Sequence, residues 1–204
     1  MRKYLTIFDT ETTGVDNRKD WIYQIAAKTV LPAEGFRTVP DGEFEVKMIL
    51  PPEGFARLKE LKKHAPEVVT YDVERWDAEG VSVAEGIHQF VVWLRKWQWF
   101  KMTSKKGKSY RCAVLGGYNT DFDLRMLRGL NTRYHSEFLP VVPWGMDVLQ
   151  LARWAMVFDD DTDLANYKLQ TIAARYGIDP GEAHEAMSDV NTTIELIKLL
   201  LRDD

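Results

Sequence analysis

The sequence is poor in cysteine and in long apolar runs. Cys112 is the only cysteine among 204 residues, so no disulfide can form within the chain and a zinc site built from several thiolates is excluded. No stretch approaches the roughly 20 apolar residues of a membrane-spanning helix. The chain begins MRKYLTIFDTETTG and passes directly into charged residues, without the apolar segment and cleavage site of a signal peptide. These absences predict an intracellular, cytoplasmic protein with no membrane partner.

The sequence also lacks the large positive charge of proteins that coat nucleic acid. Its formal net charge is −4, from 27 Lys and Arg against 31 Asp and Glu. A local basic groove stays compatible with this value, because the distribution of charge matters more than its sum. Apolar residues make up 45% and charged residues 28% of the chain, as in soluble globular proteins. The length suits one domain with a large core, and we expect a single domain over residues 1–204.

Hydrophobic patterning predicts three strands early in the chain, followed by alternating strands and helices. The first three strands are expected to be antiparallel neighbours. Later segments switch to helical spacing, so the chain is typical of an α/β fold with a mixed central sheet flanked by helices. The predicted strands are 3–10, 20–30, 42–50 and 111–119, and the predicted helices are 51–68, 81–97, 120–130, 161–178 and 184–201. The segment 144–158 is predicted to be a strand followed by a helix.

One segment, 95–111, breaks this pattern and is interpreted as an insertion. It holds seven basic residues and no acidic one, with Trp97, Trp99, Phe100 and Tyr110 interleaved. Its centre, TSKKGKS, predicts an exposed loop or hairpin tip. Basic residues can follow a phosphate backbone while an aromatic ring stacks on a base; alternatively, the lysines only solvate a loop and the tryptophans end a core helix. We interpret the lysines as nucleic-acid contacts and the tryptophans as core.

Three short segments concentrate acidic residues: DTETTG at 9–14, GYNTDFDLRML at 117–127 and HEAMSDVNTT at 184–193. In the first, Asp9 and Glu11 end an apolar strand, and residues two apart on a strand point to the same side. Like charges so close repel each other and raise a pKa, so we expect a positive group between them. Each segment alone also has a plain structural explanation, since acids at strand ends and helix starts commonly cap or turn the chain.

Together the three segments resemble the DEDD superfamily of 3′→5′ exonucleases, which includes the proofreading subunit of bacterial replicative polymerases, ribonuclease T, oligoribonuclease and bacterial exonuclease I. A histidine five residues before the last aspartate, here His184 before Asp189, is typical of the branch called DEDDh. The other branch has a tyrosine at the position of Glu185. Weaker matches between the motifs extend the resemblance over nearly the whole chain. The matching positions are Asp9, Glu11, Thr12, Thr13, Gly14, Asn119, Phe122, Asp123, Leu127, His184, Ala186, Asp189 and Thr193.

The resemblance implies a ribonuclease-H-like fold and a site for two Mg²⁺ or Mn²⁺ ions. Carboxylate oxygens without thiolates suit such hard cations, and a pair of them can stabilise both the attacking and the leaving oxygen of a phosphodiester. By resemblance, Asp9 would bridge the two ions, and Glu11 and Asp189 would complete the site that holds the nucleophilic water. Asp123 would hold the second ion through water. His184 would be the general base, a role that suits its ordinary pKa of about 6.5.

The resemblance further implies which residues surround the terminal nucleotide. Thr12 and Gly14 would lie beside it, and Asn119 would either bind near the same terminus or organise a strand-to-helix turn. Phe122 would either lie beside a base or belong to the core. The implied activity is 3′→5′ exonucleolysis of single-stranded or frayed DNA, releasing nucleoside 5′-monophosphates.

Two alternatives to this activity remain open. One is an RNA-trimming enzyme of the same family, because the contact to a 2′-hydroxyl that would separate RNA from DNA cannot be seen in the sequence. The other is a catalytically silent nucleic-acid-binding module. The expected oligomeric state is a monomer or homodimer, and no polymerase or repair partner is identifiable.

Overall fold

The computed structural model describes residues 2–134, 138–157, 164–181 and 184–201. Within these residues eight strands and seven α-helices are found. The strands are β1 Leu5–Thr12, β2 Ile22–Leu31, β3 Arg37–Ile49, β4 Val81–Ser82, β5 Phe100–Thr103, β6 Ser109–Cys112, β7 Leu115–Gly117 and β8 Met146–Asp147. The helices are α1 Pro52–His64, α2 Val73–Glu79, α3 Val83–Leu94, α4 Thr120–Arg133, α5 Val148–Val157, α6 Leu169–Arg175 and α7 Ala186–Leu200.

Six of the strands form one mixed sheet in the order β4–β3–β2–β1–β7–β8. The first three strands are antiparallel neighbours, as predicted, whereas β7 and β8 join the other side of β1 in parallel. Each parallel strand reaches the sheet after a connection that contains a helix, as a parallel pairing requires. The predicted mixed sheet flanked by helices is therefore confirmed.

The side chains of β1 alternate between the two faces of the sheet, and they contribute to a separate core layer on each face. Phe8 packs with residues of α3 and α4, including Phe90 and Leu127, on one side of the sheet. Leu5 and Ile7 point to the other side, where they pack against α5, α6 and α7. Since Asp9 and Glu11 continue the series of Leu5 and Ile7, both acids are directed toward the layer that contains α7.

Two helices differ from the sequence prediction. Helix α6 begins at Leu169 rather than at 161; residues 161–163 lie outside the described part of the chain, and 164–168 are not helical. The side chain of Asn166 accepts hydrogen bonds from the backbone N–H of Lys168 and from the Thr171 hydroxyl, at 2.9 and 2.7 Å, and these bonds favour a turn over a helix before Leu169. Helix α2 was not predicted. It is seven residues long, too short for an apolar period to be recognised, and buries Trp76.

The segment 95–111 forms a β-hairpin of β5 and β6, with Ser104 to Lys108 at its tip. The predicted exposed hairpin tip is confirmed. Trp97 is buried, which confirms its interpretation as a core residue, whereas Trp99 is half-buried and lies outside α3. None of the helices in the described ranges has the length and apolar character needed to cross a membrane.

Candidate active site

Three elements bring the acidic segments to one edge of the sheet. Asp9 and Glu11 lie in the second half of β1, and Asp123 lies in the first turn of α4, the helix that follows β7. Because β7 is parallel to β1, both strands end on the same side, and α4 begins beside the acids of β1. Asp189 lies in the first turn of α7, which packs against β1.

A cavity of about 460 Å³ opens at this edge, and it is lined by all nine residues to which the resemblance gives a role in metal binding, catalysis or substrate binding. The cavity is within the size range of ordinary ligand pockets. The nine residues are Asp9, Glu11, Thr12, Gly14, Asn119, Phe122, Asp123, His184 and Asp189.

The carboxylates of the cavity crowd one another. Asp9, Glu11 and Asp189 each offer an oxygen atom, and these atoms all lie within 4.8 Å of one another. Asp123 lies in the same cavity, and its Oδ1 accepts two hydrogen bonds from Thr10, from the backbone N–H at 3.1 Å and from the hydroxyl at 2.5 Å. Because consecutive strand residues alternate between faces, the Thr10 side chain points away from the layer that contains α7. Its hydrogen bonds to Asp123 are therefore made on the opposite face of the sheet. The orientation of Asp123 is therefore set by β1 itself.

Burial and mutual repulsion raise the pKa values of these acids. The pKa of Asp9 lies well above its usual value because the group is buried and faces Asp123, Glu11 and Asp189. Burial, followed by the charges of Asp189 and Asp123, raises the pKa of Glu11 to about 8.

The other two carboxyls shift in the same direction, mainly through burial. The pKa of Asp123 rises to about 7, against the opposing effect of the Thr10 hydrogen bonds. The pKa of Asp189 rises to about 6, opposed by a hydrogen bond from Gln170 Nε2 at 3.3 Å. The raised pKa values reflect burial and the repulsion among the negative charges of the four carboxylates. Hard divalent cations, which bind oxygen donors, would neutralise these charges. The positive group expected between Asp9 and Glu11 therefore has a suitable site.

His184 borders the same cavity from the connection between α6 and α7. Its backbone φ is 62°, and the described residues on both sides of it are not helical. Partial burial, followed by the nearby ammonium group of Lys168, lowers the pKa of His184 below its usual value of 6.5. The lowered pKa favours the neutral imidazole, which is able to accept a proton.

Thr12 and Gly14 lie where β1 passes into the loop that leads to β2. The Thr12 hydroxyl donates to the carbonyl of Gly14 at 2.9 Å. A Cβ on Gly14 would lie 2.4 Å from Oδ2 of Asp20, so glycine is required here by the close approach of that side chain. Asp20 is almost fully buried and accepts from Arg57 Nε at 2.7 Å and from the backbone N–H of Asp16 at 2.8 Å. The loop beside the acids is thus held to α1 through Asp20 and Arg57.

Asn119 and Phe122 lie where each of the roles left open by the sequence can be filled: a contact to the substrate from the cavity, or a structural role in the turn and the core. Asn119 has a left-handed backbone, with φ of 60°, at the turn from β7 into α4, and its N–H donates to Asp147 Oδ1 at 3.0 Å. Asp147 also accepts from the N–H of Leu149 at 3.0 Å and so organises the start of α5. Phe122 packs against the core and also reaches the cavity.

Several cavity residues were missed by the sequence reasoning. Thr10 and Gln170 orient Asp123 and Asp189, and Lys168 is the basic side chain that lines the cavity. Tyr118 and Tyr167 form part of the same wall, joined by a hydrogen bond from the Tyr118 hydroxyl to the Tyr167 carbonyl at 2.6 Å. The only sequence signal for these residues was their position inside or beside the segments that resemble the family.

Among solved structures, several of exonuclease I have a fold similar to that of this chain. A structure of exonuclease I described in terms of processivity is 19% identical with a TM-score of 0.69, and E. coli exonuclease I in complex with a dT13 oligonucleotide is 20% identical with a TM-score of 0.68. The zinc-bound E. coli exonuclease I–ssDNA complex is 19% identical with a TM-score of 0.68. No protein-family model and no curated protein matches the sequence.

These similarities cover 98% of this chain but only 40 to 41% of the neighbours, so the chain spans about two fifths of their length. At this level of identity the similarity concerns the fold. The predicted ribonuclease-H-like fold is confirmed, and exonuclease I, one of the proteins that the sequence motifs resemble, has a similar fold.

Proposed function

We propose that this chain is a metal-dependent 3′→5′ exonuclease that hydrolyses single-stranded or frayed DNA and releases nucleoside 5′-monophosphates. The observation that carries the proposal is the convergence of four carboxylates and one histidine, from three distant segments, in a single cavity. The fold supports it, because neighbours with the same fold are exonuclease I in complex with single-stranded oligonucleotides.

The four carboxylates would hold two Mg²⁺ or Mn²⁺ ions. Asp9, Glu11 and Asp189 form the tightest group, and Asp123 completes the set from α4. When bound, the cations would supply Lewis-acid stabilisation of the oxygens that attack and leave the phosphorus atom. The oxygen-only donor set is the preferred coordination of these ions.

His184 acts as the general base in this proposal. A neutral imidazole with a lowered pKa can take a proton from the attacking water on a ring nitrogen. Lys168 lines the same cavity and would attract the phosphate of the substrate.

The cavity would accept one terminal nucleotide. Apolar side chains of Val15, Leu61 and Phe122 line it together with the acids, so its lining can accept both a base and a phosphate. Thr12, Gly14 and Asn119 border the same space and would contact the 3′-terminal sugar. A strand end, rather than the interior of a duplex, is therefore the expected substrate.

A time course on DNA labelled at its 5′ end tests the proposal. Products should shorten one nucleotide at a time from the 3′ end with Mg²⁺ or Mn²⁺, stop with a chelator, and be nearly absent for Asp9→Asn. Glu74→Gln, which alters an exposed acid on α2, is the matched control and should retain full activity. Loss of label from the 5′ end, or cleavage that persists in Asp9→Asn, would contradict the proposal.

The same assay separates the alternatives. A matched RNA strand that is degraded faster than DNA would assign the site to RNA trimming. Binding of the strand without cleavage under any metal would instead indicate a silent binding module.

A further inference from the structure

The hairpin of β5 and β6 presents a strongly basic outer face. Its register places Lys101 directly opposite Arg111, and both side chains are exposed. At the tip, Lys105, Lys106 and Lys108 are also exposed, and no acidic residue occurs anywhere between 86 and 120. The hairpin therefore concentrates positive charge on a protein whose net charge is negative.

The inner face of the hairpin is anchored by aromatic and apolar side chains. Phe100, Met102 and Tyr110 pack against the same core layer as α5 and α7. Phe100 contacts the ring of Trp144 at 5.7 Å, and Tyr110 contacts Phe138 at 5.5 Å, measured between ring centroids. Trp144 is 46% exposed and Phe138 64% exposed. These two partly exposed rings therefore lie beside the inner face of the hairpin, whereas Lys101 and Arg111 occupy the outer face.

The hairpin lies at the end of the sheet opposite to the acids. Trp99, just before β5, donates from its indole N–H to the carbonyl of Tyr4 at 2.6 Å, and β6 leads directly into the start of β7. Tyr4 precedes Asp9 by five residues, which corresponds to roughly 17 Å along a strand. The basic face is therefore too far from the cavity to contact the terminal nucleotide.

We propose that this hairpin is a second nucleic-acid-binding surface, which holds the single strand several nucleotides upstream of the 3′ end bound in the cavity. The proposal rests on the proposed function, since the strand is taken to be the substrate. In this proposal the lysines increase the affinity for long strands, whereas catalysis takes place in the cavity. A single strand is favoured as the occupant because its phosphates complement the exposed lysines at regular intervals and because it is the proposed substrate of the cavity.

Binding and cleavage by one triple variant test this assignment. In K105A/K106A/K108A, three phosphate contacts are removed, so the slope of log affinity against log salt for a strand of about 25 nucleotides should fall by about 2. At about 0.1 M salt the affinity should fall roughly tenfold to hundredfold by the same relation. Binding is measured by fluorescence anisotropy in chelator, which prevents cleavage. The variant K105R/K106R/K108R keeps the charge and is the matched control.

Short strands provide the second readout. With Mg²⁺, cleavage of a strand of about 2 nucleotides should be the same in all three proteins, because a strand that short cannot reach the hairpin while its 3′ end lies in the cavity. Unchanged affinity and salt slope in the alanine variant would overturn the proposal and leave the hairpin as a surface for another partner. An equal loss in the arginine variant would also overturn it, because charge would then not be the cause. If wild type cleaves nothing but its affinity for the long strand still depends on these lysines, the hairpin assignment stands and the nuclease assignment fails.

Discussion

Replacing Glu11 by glutamine should stabilise the metal-free protein, and more so as the pH rises. Burial and the neighbouring Asp189 and Asp123 raise the pKa of Glu11 from 4.5 to about 8. Between these two values the folded protein keeps the proton that the unfolded chain releases. The free energy of unfolding therefore falls with rising pH through this window, at up to about 1.4 kcal/mol per pH unit. Below about pH 4.5 the contribution is fully present, and above about pH 8 it is lost.

The size of the effect follows from the same linkage. Between about pH 6 and about pH 8, the Glu11 carboxyl alone accounts for a fall of about 2 kcal/mol in the free energy of unfolding. For a chain of this length, that corresponds to a fall in Tm of roughly 4–8 °C. Glu11 is only 8% exposed, so solvent screens its interactions little. Glutamine keeps an oxygen that can accept from the Tyr23 hydroxyl, 3.5 Å away in the wild-type protein, and removes only the charge.

Thermal unfolding in chelator between these two pH values measures the prediction. The Tm of wild type should fall more steeply than that of Glu11→Gln; a smaller slope remains in the variant, because Asp9, Asp123 and Asp189 also have raised pKa values. Glu74→Gln removes an exposed carboxyl and should follow wild type. Mg²⁺ should raise the Tm of wild type more at the higher pH, where protons no longer compete for the carboxylates. Parallel curves for wild type and Glu11→Gln would refute the reasoning.

Three further perturbations test other contacts of the site. His184→Ala should lower kcat about 10²–10⁴-fold with little change in KM, measured on labelled DNA; an undiminished rate would remove His184 from the mechanism. Thr10→Val removes the hydroxyl donor to Asp123 and should raise the Mg²⁺ concentration for half-maximal rate roughly tenfold or more. An unchanged metal titration would show that the backbone N–H of residue 10 is enough to orient Asp123. Arg57→Ala leaves the buried Asp20 without its cation and should cost about 2 kcal/mol of stability. Arg18→Ala, an exposed arginine of the same loop, is its control and should cost less than about 1 kcal/mol.

The sequence was sufficient for those features that depend on local periodicity. Alternation of apolar residues predicted β1, β2 and the core of β3, and helical spacing predicted α3, α4 and α7, because each of these elements buries one face over several turns or strand pairs. It also indicated the step from β8 into α5. It was insufficient for β4, which is two residues long and owes its existence to pairing with β3. No period can be recognised in two residues.

For the site, the residue types and their spacing already indicated which side chains belong together. Asp9 and Glu11 share one side of a strand by the geometry of the backbone, and the motifs around Asp123 and His184 carried the resemblance to a nuclease family. The sequence by itself therefore determined the members of the acidic cluster and the chemistry that they suit.

Only the tertiary structure decided how these members are held. The bond from Thr10 to Asp123, the bond from Gln170 to Asp189 and the ion pair of Arg57 with Asp20 each join elements that are distant in the chain. The same is true of the distance between the basic hairpin and the cavity. Such contacts arise when separate layers pack around one sheet, and no pattern within a single segment encodes them, because their free energy comes from burial that exists only after the segments have met.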